Sequence, residues 1–454
     1  MADKAVVGGY EPLHHANEGR SSISLIFFKF FGVVFLAGAL CYLFISNTNA
    51  WTMEAKKLSL SLEKQDALNI IRPVMKESIF KEQQQQQQQQ LTKDQVCDLS
   101  VGEWIPNSAG PAYTNETCNK IPTYLNCLKN GRPDTGYLHW RWKPSGCDSH
   151  PIDPLKFLNA MRNKSIAFLG ASICHNHVVS LICQLSKVEE ALDIFHDSSF
   201  QTRTWYYPSY NLTLYVIWAP FLIHYETIDN PGDKSQSELH IHLDILDNKW
   251  TSEYNKYDYV VITGGADFYR STIIYENNQV IGCHHCRPHM KLKHLAADEI
   301  YRKALKLSLK FIATAEHKAF IILRTWPPMH YEHGELPDEK FCNRTKPFRE
   351  DEISGYASDH KMREVEIEEC EKAATIGAKN GVRIELLDTY HLSLLRPDGH
   401  PGSYGIYNPS DSDKKKEVQY DCVHWCLPGP IDTWAELLVL KMLSSGVAGD
   451  SVSA

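Results

Sequence analysis

Blocks of apolar and amphipathic sequence alternate over the last two-thirds of the chain, and one of them carries a candidate nucleophile. Residues 166–169 are apolar and β-prone, and Gly170 and Ser172 follow directly. Apolar positions between 178 and 185 then recur with helical spacing. A strand, a tight turn and a helix in this order place the Ser172 hydroxyl at the carboxyl edge of a sheet, beside the free N–H groups of the helix start. The same pattern also occurs at ordinary helix N-termini, so alone it is a weak signal.

The rest of this region continues the alternation of strands and helices. The pattern predicts short buried strands at residues 258–263, 319–324 and 383–387, and helices at residues 295–315 and 361–378. Such alternation predicts an α/β fold with a mostly parallel sheet covered by helices. Ser172, Gly264, Gly265 and Asp388 all fall at the ends of predicted strands, which is the edge where ligands bind in these sheets.

The N-terminal part of the chain predicts a membrane anchor and a stem. Residues 1–22 are polar, whereas residues 23–45 are almost continuously apolar and long enough to span a bilayer of roughly 30 Å. The length of the apolar run and the polar segment before it favour a signal anchor over a cleaved signal peptide. Residues 46–95 contain a run of glutamines and have no pattern that could form a core, so they predict a stem.

Cysteines and glycosylation sequons place the body of the protein in an oxidising lumen. Twelve of the 13 cysteines follow the apolar segment, and we expect disulfides among Cys97, Cys118, Cys127, Cys147, Cys174, Cys183, Cys283, Cys286, Cys342, Cys370, Cys422 and Cys426. The sequons begin at Asn115, Asn163, Asn211 and Asn343. Cys283 and Cys286 have the spacing of metal ligands, but no second pair of cysteines completes a zinc site, so a disulfide is favoured and no metal is expected.

Composition divides the body further. Residues 96–149 are rich in Cys and Trp and predict a small disulfide-tied subdomain, residues 150–445 form the α/β domain, and residues 446–454 are a tail. The net charge of -8 argues against a nucleic-acid partner.

A second motif near the C-terminus supplies the groups that would activate Ser172. Asp421 and His424 are three residues apart, a spacing that presents both side chains together. A serine hydroxyl becomes a good nucleophile when a base accepts its proton, and a carboxylate fixes the tautomer of that base. The chain therefore contains a candidate triad in the order Ser, Asp, His.

The motifs of the chain after about residue 96 resemble those of the plant trichome birefringence-like family of polysaccharide O-acetyltransferases, relatives of the GDSL/SGNH esterases. The matching motifs are CDL at 97–99, GEW at 102–104, NGRPD at 130–134, WRW at 140–142, CNRT at 342–345, LRPDGHPG at 395–402 and DCVHWCLPG at 421–429. The resemblance implies an SGNH-like fold with Ser172 as nucleophile, His424 as base and Asp421 as the residue that orients His424. It also implies oxyanion donors at Gly264 or Gly265 and at Asn176.

Three positions depart from the family pattern. Ala171 stands where the family has Asp before the serine, His175 stands where it has Arg, and Asp267 replaces an aromatic residue. The candidate triad is intact. Two alternatives stay open. The same triad with water as the acceptor would make an acetylesterase, and the departures at Ala171, His175 and Asp267 would fit a polysaccharide-binding protein without catalysis.

The resemblance implies an enzyme of the Golgi membrane with a single-pass type II topology and a lumenal catalytic domain. Its expected substrate is a hemicellulose, with xyloglucan first and mannan second. No bound cofactor is expected, but an acetyl donor is required, either acetyl-CoA or an acetylated intermediate. Because cytosolic acetyl-CoA does not reach the lumen directly, a donor-supplying membrane protein is an expected partner.

Overall fold

The computed structural model describes residues 56–57, 98–146, 151–229, 237–287, 290–333, 340–353, 357–405 and 419–444. The predicted anchor at 23–45, the glutamine run, Cys97, Cys147 and the tail at 446–454 lie outside these residues. Residues 1–92 and 93–454 form separate units, and the fold below belongs to the second. None of the helices in the described ranges is both long and apolar enough to cross a membrane.

The second unit alternates strands and helices along its length. Its strands are β1 (Asp98–Pro106), β2 (Trp140–Ser145), β3 (Ser165–Gly170), β4 (Leu192–His196), β5 (Arg203–Tyr207), β6 (Leu212–Trp218), β7 (Ile223–Ile228), β8 (Glu238–Leu246), β9 (Tyr259–Thr263), β10 (Thr272–Glu276), β11 (Gln279–His284), β12 (Phe320–Arg324), β13 (Glu332–His333), β14 (Lys340–Phe341) and β15 (Ile384–Leu387). Its helices are α1 (Pro154–Ala160), α2 (Ser172–Leu185), α3 (Asn248–Thr251), α4 (Ala297–Thr314), α5 (Ala357–Asn380), α6 (Tyr390–Leu394) and α7 (Asp432–Ser444).

A seven-stranded sheet with the order β15-β12-β9-β3-β6-β5-β4 forms the centre of the unit. The strands from β15 to β6 are parallel, and β5 and β4 continue the sheet in antiparallel pairing. All residues of β9 and β12 are buried, because helices cover both faces of a parallel sheet and leave no polar side. The predicted strands and helices are confirmed, with ends that differ by at most four residues.

The predicted strands did not include β1, β2 or β6, and two further features of the sheets were not predicted either. The first is the antiparallel edge formed by β5 and β4. The second is a separate four-stranded sheet with the order β11-β10-β8-β7, in which only β8 and β10 are parallel. The sheet structure is therefore mixed, and a mostly parallel arrangement describes the central sheet alone.

The two-stranded antiparallel sheet of β1 and β2, whose strands are joined by residues 107–139, packs against the α/β domain through tryptophans. Trp104 and Trp142 are opposite each other in this two-stranded sheet, with ring centroids 5.7 Å apart in an edge-to-face arrangement. The Trp104 indole N–H donates to the Leu392 carbonyl of α6 at 2.8 Å, and this hydrogen bond joins the two-stranded sheet to the domain.

Buried arginines join the segment after β1 to the C-terminal loops. Arg132 donates to the carbonyls of Asp398 and His400 at 2.7 and 2.9 Å. Arg396 is fully buried, pairs with the Asp398 carboxylate at 2.8 Å and donates to the Tyr137 carbonyl. These charge-assisted contacts satisfy backbone groups that burial would otherwise leave without partners.

Among the residues that the structure describes, eight cysteines are paired. The disulfides are Cys118–Cys183, Cys127–Cys426, Cys283–Cys286 and Cys342–Cys422. The expectation of a disulfide is wrong for Cys174 and Cys370, which are buried free thiols. Both belong to the hydrophobic core, where a thiol packs as a small apolar side chain.

The Arg396–Asp398 pair yields a stability prediction. Replacing Arg396 with Met leaves a buried carboxylate and the Tyr137 carbonyl without their partner, so we expect a loss of about 3–5 kcal/mol. Thermal unfolding of the full-length chain would measure this as a lowered midpoint. Arg349→Ala is the control, because Arg349 and its partner Asp351 are both about 72% exposed and the midpoint should not move. Equal midpoints for the two variants would contradict the prediction.

Candidate active site

Ser172 is the first residue of α2 and follows the end of β3. A Cβ atom at Gly170 would lie 2.3 Å from the Thr263 hydroxyl oxygen, so only glycine fits where β3 passes the end of β9. Ala171 occupies the N-cap of α2 without a side-chain cap. The nearby Cys174 is fully buried, and burial raises the pKa of its thiol to about 12. Cys174 is therefore protonated and does not compete with Ser172 as a nucleophile.

Ser172 lines a narrow cleft between the ends of β3, β9 and β12. The cleft is bordered by Ala171, Ser172, Ile173, Cys174, Pro220, Thr263, Gly264, Gly265, Ala266, Asp267, Arg324, Trp326 and Pro327. Gly265 has φ +119, and a Cβ there would lie 2.2 Å from the Trp326 ring. A Cβ at Gly264 would approach the Tyr301 hydroxyl to 2.9 Å. Close packing thus accounts for both glycines, and their backbone lies along the same cleft as Ser172.

Asp421 and His424 form a hydrogen-bonded pair. His424 Nδ1 lies 2.8 Å from Asp421 Oδ2, and the backbone N–H groups of Val423 and His424 donate to Asp421 Oδ1. Burial acts to raise the pKa of Asp421, but the hydrogen bonds from His424 and these N–H groups outweigh it and hold the pKa below its usual value. The carboxylate therefore stays ionised and orients the imidazole, which leaves Nε2 for chemistry.

Asn176 holds the loop of His424 against α2. Its side-chain oxygen accepts the Trp425 N–H at 2.8 Å, and its side-chain nitrogen donates to the Trp425 carbonyl at 3.2 Å. Asn176 and Trp425 are both fully buried. Because both polar atoms of the amide bond this backbone, we replace the prediction of an oxyanion donor at Asn176 with a positioning role.

The three candidate triad residues are not all joined by hydrogen bonds. Asp421 and His424 are paired, and Asn176 anchors the residue after His424 one helical turn beyond Ser172. Within the described ranges, no hydrogen bond connects the Ser172 hydroxyl to His424, and Nε2 of His424 is buried without a partner. Catalytic hydrogen bonds are often long without substrate and tighten in the reactive complex.

An aromatic wall borders His424. The Tyr124 ring meets the His424 ring edge-on at 5.4 Å, and the Tyr124 hydroxyl lies 3.4 Å from His175 Nδ1. His175 stacks on the buried Trp205, and burial together with nearby Arg203 and His424 lowers the pKa of His175 to about 4. His175 is therefore neutral and does not replace the positive charge of an arginine at this position.

Tyr124 and Arg324 are site residues that the sequence did not reveal. Tyr124 precedes the α/β domain and follows no motif that points to His424. Arg324 ends β12, and its position at a strand end was the one available signal. Arg324 is about 1% exposed, and its Nε has no hydrogen-bond partner among the described residues. Burial lowers the pKa of Arg324 to about 10, so it remains a cation beside the cleft.

The remaining candidates of this region have structural contacts. Asp267 lines the cleft, pairs with Arg270 at 3.3 Å and has its pKa raised by burial. Asp388 accepts hydrogen bonds from Thr325 and from the Tyr390 N–H, which closes the turn into α6. Among the sequon residues, Asn163, Asn211 and Asn343 are exposed, whereas Asn115 is half-buried.

Comparison with known proteins identifies the family. The PC-Esterase model, a GDSL/SGNH-like acyl-esterase family found in Pmr5 and Cas1p, matches residues 151–441. The PMR5 N-terminal domain matches residues 95–148. Trichome birefringence-like protein 25 of Arabidopsis thaliana is 50% identical over 353 residues, which cover 77% of each chain. The chain belongs to the trichome birefringence-like family.

Two further relatives of this trichome birefringence-like chain have names that state an activity. Xyloglucan O-acetyltransferase 1 of Arabidopsis thaliana is 35% identical over 83% of this chain and 87% of the relative. Xyloglucan O-acetyltransferase 3 of Populus trichocarpa is 37% identical over 76% of this chain and 86% of the relative. With the acyl-esterase domain, these relatives identify the chain as an acyltransferase enzyme.

The Asn176 contacts yield a kinetic prediction for this trichome birefringence-like enzyme. Asn176→Ala leaves the Trp425 N–H and carbonyl without partners and frees the loop of His424. We expect kcat to fall about a hundredfold with little change in KM, because a small misplacement of a catalytic base costs that much. Hydrolysis of 4-nitrophenyl acetate by the full-length chain is the measurement.

Gln184→Ala is the matched control for Asn176→Ala. Gln184 is another buried amide of α2, and its side chain donates to the Asp432 carbonyl at 3.0 Å, away from His424. We expect Gln184→Ala to lower the unfolding midpoint without a comparable loss of kcat. If both variants lose kcat equally, Asn176 is structural only.

Proposed function

We propose that this chain is an O-acetyltransferase that moves an acetyl group to a hydroxyl of a plant cell-wall hemicellulose through an acetyl-serine intermediate at Ser172. One observation carries the proposal most directly. The Asp421–His424 pair lies on a loop that Asn176 binds to the helix of Ser172. This arrangement brings an oriented base to the same end of α2 as a serine at the carboxyl edge of the sheet.

The proposed reaction has two displacements. In the first, Ser172 Oγ bonds to the acetyl carbonyl carbon while His424 Nε2 accepts the hydroxyl proton. The bond from that carbon to the donor's leaving group then breaks, and the proton passes from His424 to the leaving group. In the second displacement, a sugar hydroxyl gives its proton to Nε2 and attacks the acetyl-serine, and the proton returns to Ser172 as the ester bond breaks.

Oxyanion stabilisation in this proposal comes from groups along the cleft. The backbone N–H of Ser172 at the start of α2 is one donor, and the backbone at Gly264 or Gly265 supplies the other. Arg324 adds a buried positive charge on the same cleft. A preorganised charge in a poorly solvated site stabilises a developing oxyanion more strongly than the same charge does in water.

Net transfer requires a sugar hydroxyl to reach the acetyl-serine before water does. Tyr124, His175 and Trp205 form an aromatic wall beside His424, and His175 and Trp205 are buried. Such a wall lowers the access of water to the base. Exclusion of water favours acetyl transfer to a sugar hydroxyl over hydrolysis of the acetyl-serine, so it supports a transferase over an acetylesterase.

A broad groove offers space for a polysaccharide chain. It has a volume of about 860 Å³ and runs between the two-stranded sheet of β1 and β2 and residues 344–352. Trp104, Trp140 and Phe348 are among its lining residues. Aromatic side chains provide flat apolar surfaces, which suit the faces of sugar rings. The groove therefore supports a polymeric acceptor.

Xyloglucan is the first acceptor in this proposal and mannan the second. The relatives whose names state xyloglucan are 35–37% identical to this chain. The relatives that are 49–50% identical have names that state no substrate. The choice of polymer therefore has to be tested on several hemicelluloses in parallel.

The same proposal includes a location and an acetyl supply. Residues 23–45 would anchor the chain in the Golgi membrane as a single-pass type II protein with its catalytic domain in the lumen. The disulfides of the second unit and the exposed sequon residues support an oxidising lumen. The acetyl group would come from acetyl-CoA or an acetylated intermediate, supplied by another membrane protein.

The proposal predicts acetylation of one class of oligosaccharide. The full-length chain in detergent would be incubated with acetyl-CoA and deacetylated xyloglucan, mannan or xylan oligosaccharides, and mass spectrometry would count added acetyl groups. We expect Ser172→Ala to lower acetylation at least about a thousandfold, because the nucleophile is lost. Ser199→Ala, which changes an exposed serine before β5, should have no effect.

Each other outcome favours a specific alternative. Release of acetate without acetylated oligosaccharide, again dependent on Ser172, would identify an acetylesterase. Binding of an oligosaccharide that persists in Ser172→Ala, with neither acetate nor product formed, would identify a polysaccharide-binding protein without catalysis. In that case, restoring Asp at Ala171 and Arg at His175 would test whether these two departures removed activity.

A further inference from the structure

The four-stranded sheet presents a row of histidines and carboxylates on one face. Along β8, Leu239, Ile241 and Leu243 are buried, whereas the alternate residues Glu238, His240 and His242 are only partly buried. Successive side chains of a strand point to opposite faces. The apolar residues of β8 therefore face the core, and its histidines and glutamate share the opposite face.

The neighbouring strand adds two more ligand-type side chains to this face. β7 is antiparallel to β8, with Tyr225 opposite Ile241 and Glu226 opposite His240. His224 and Glu226 alternate with Tyr225 and are exposed. They therefore lie on the same face as the histidines of β8.

Three of these side chains converge. The ligand atoms of His224, Glu226 and His242 all lie within 4.8 Å of one another. His242 Nε2 is 3.4 Å from a carboxylate oxygen of Glu226. The ring centroids of His224 and His242 are 5.0 Å apart.

We propose that His224, Glu226 and His242 bind a divalent transition-metal cation, with Zn²⁺ as the cation that best fits the donor set. Two imidazoles and a carboxylate are ligands that Zn²⁺ prefers, with bonds of about 2.0–2.2 Å. Donor atoms of a tetrahedral site with such bonds are about 3.3–3.5 Å apart. The contact between His242 and Glu226 already has this length, and a small movement of exposed His224 completes the set. The fourth position is open to water.

The position of His242 is preorganised for this role. Tyr275 of β10 stacks on the His242 ring, with centroids 4.9 Å apart and planes 18° from parallel. Nδ1 of His242 is buried and has no hydrogen-bond partner in the part of the chain that the structure describes. The ring is therefore held by stacking and by its contact with Glu226, which aims Nε2 at the shared position.

No short sequence motif predicts this site. Glu226 and His242 are 16 residues apart and belong to different strands, so no short motif joins them. Only the register of β7 on β8 brings them together. The site is also independent of the proposed acetyl transfer, because its residues take no part in that reaction.

Direct binding tests the proposal. The full-length chain, with any polyhistidine tag removed, would be titrated with Zn²⁺ by isothermal calorimetry, with Mg²⁺ titrated in parallel. We expect one saturable Zn²⁺ site and no Mg²⁺ binding at the same concentrations, because imidazole ligands disfavour Mg²⁺. His224→Ala and His242→Ala should each weaken Zn²⁺ binding at least about tenfold.

Two control variants separate this site from other histidines. His240→Ala removes a histidine from the same strand and face but outside the converging set. His285→Ala removes one from the group formed with His284 and His294 near the Cys283–Cys286 disulfide. Both variants should bind Zn²⁺ like the unaltered chain. Substitution of Co²⁺ should give the visible absorption of a tetrahedral site, and His242→Ala should abolish it.

Other outcomes would overturn the proposal. Unchanged Zn²⁺ affinity in both His224→Ala and His242→Ala would show that any bound metal lies elsewhere. A full-length chain that binds no Zn²⁺ would show that His242 and Glu226 form only a cross-strand hydrogen bond. Circular dichroism of each variant would establish that a lost site does not reflect a lost fold.

Discussion

The candidate active site depends on the two hydrogen bonds between the Asn176 amide and the Trp425 backbone. They join a helix that follows the first strand of the central sheet to a loop more than two hundred residues later. Ser172 starts that helix, and His424 precedes the bonded residue. Because both groups of the amide and both backbone groups are buried, loss of either bond leaves an unsatisfied polar group in the core. This constraint keeps the loop of His424 against the first turns of the helix that begins at Ser172.

The N-terminal subdomain depends on the same C-terminal loops. Arg132 bonds the backbone at Asp398 and His400, and Cys127 is joined to Cys426 two residues after His424. Tyr124 of this subdomain packs against the His424 ring. The subdomain therefore contributes a side chain next to His424.

Local pattern was enough to predict four of the five parallel strands of the central sheet, because buried strands such as β9 are continuous apolar runs and need no information from distant residues. It did not predict β6. It was also enough to select Asp421 and His424, whose contact spans three residues. Local pattern failed where contacts between residues far apart in the sequence determine the role of a side chain. Cys174 resembles any other cysteine in sequence, and only its core environment makes it a free thiol. Asn176 matched an oxyanion motif, yet its buried partner lies on a distant loop.

The proposed acetyl-serine intermediate is tested by identifying the residue that carries the acetyl group. The full-length chain would be mixed briefly with an acetyl donor and no acceptor, quenched in acid and digested, and its peptides would be sequenced by mass spectrometry. The proposed mechanism predicts one acetyl group on Ser172, which sugar acceptors remove when added before the quench. It also predicts that Asp421→Asn slows the appearance of this group, because His424 loses its orienting carboxylate. Acetylation at another residue, or transfer to sugar without any acetyl-serine, would contradict the proposed mechanism.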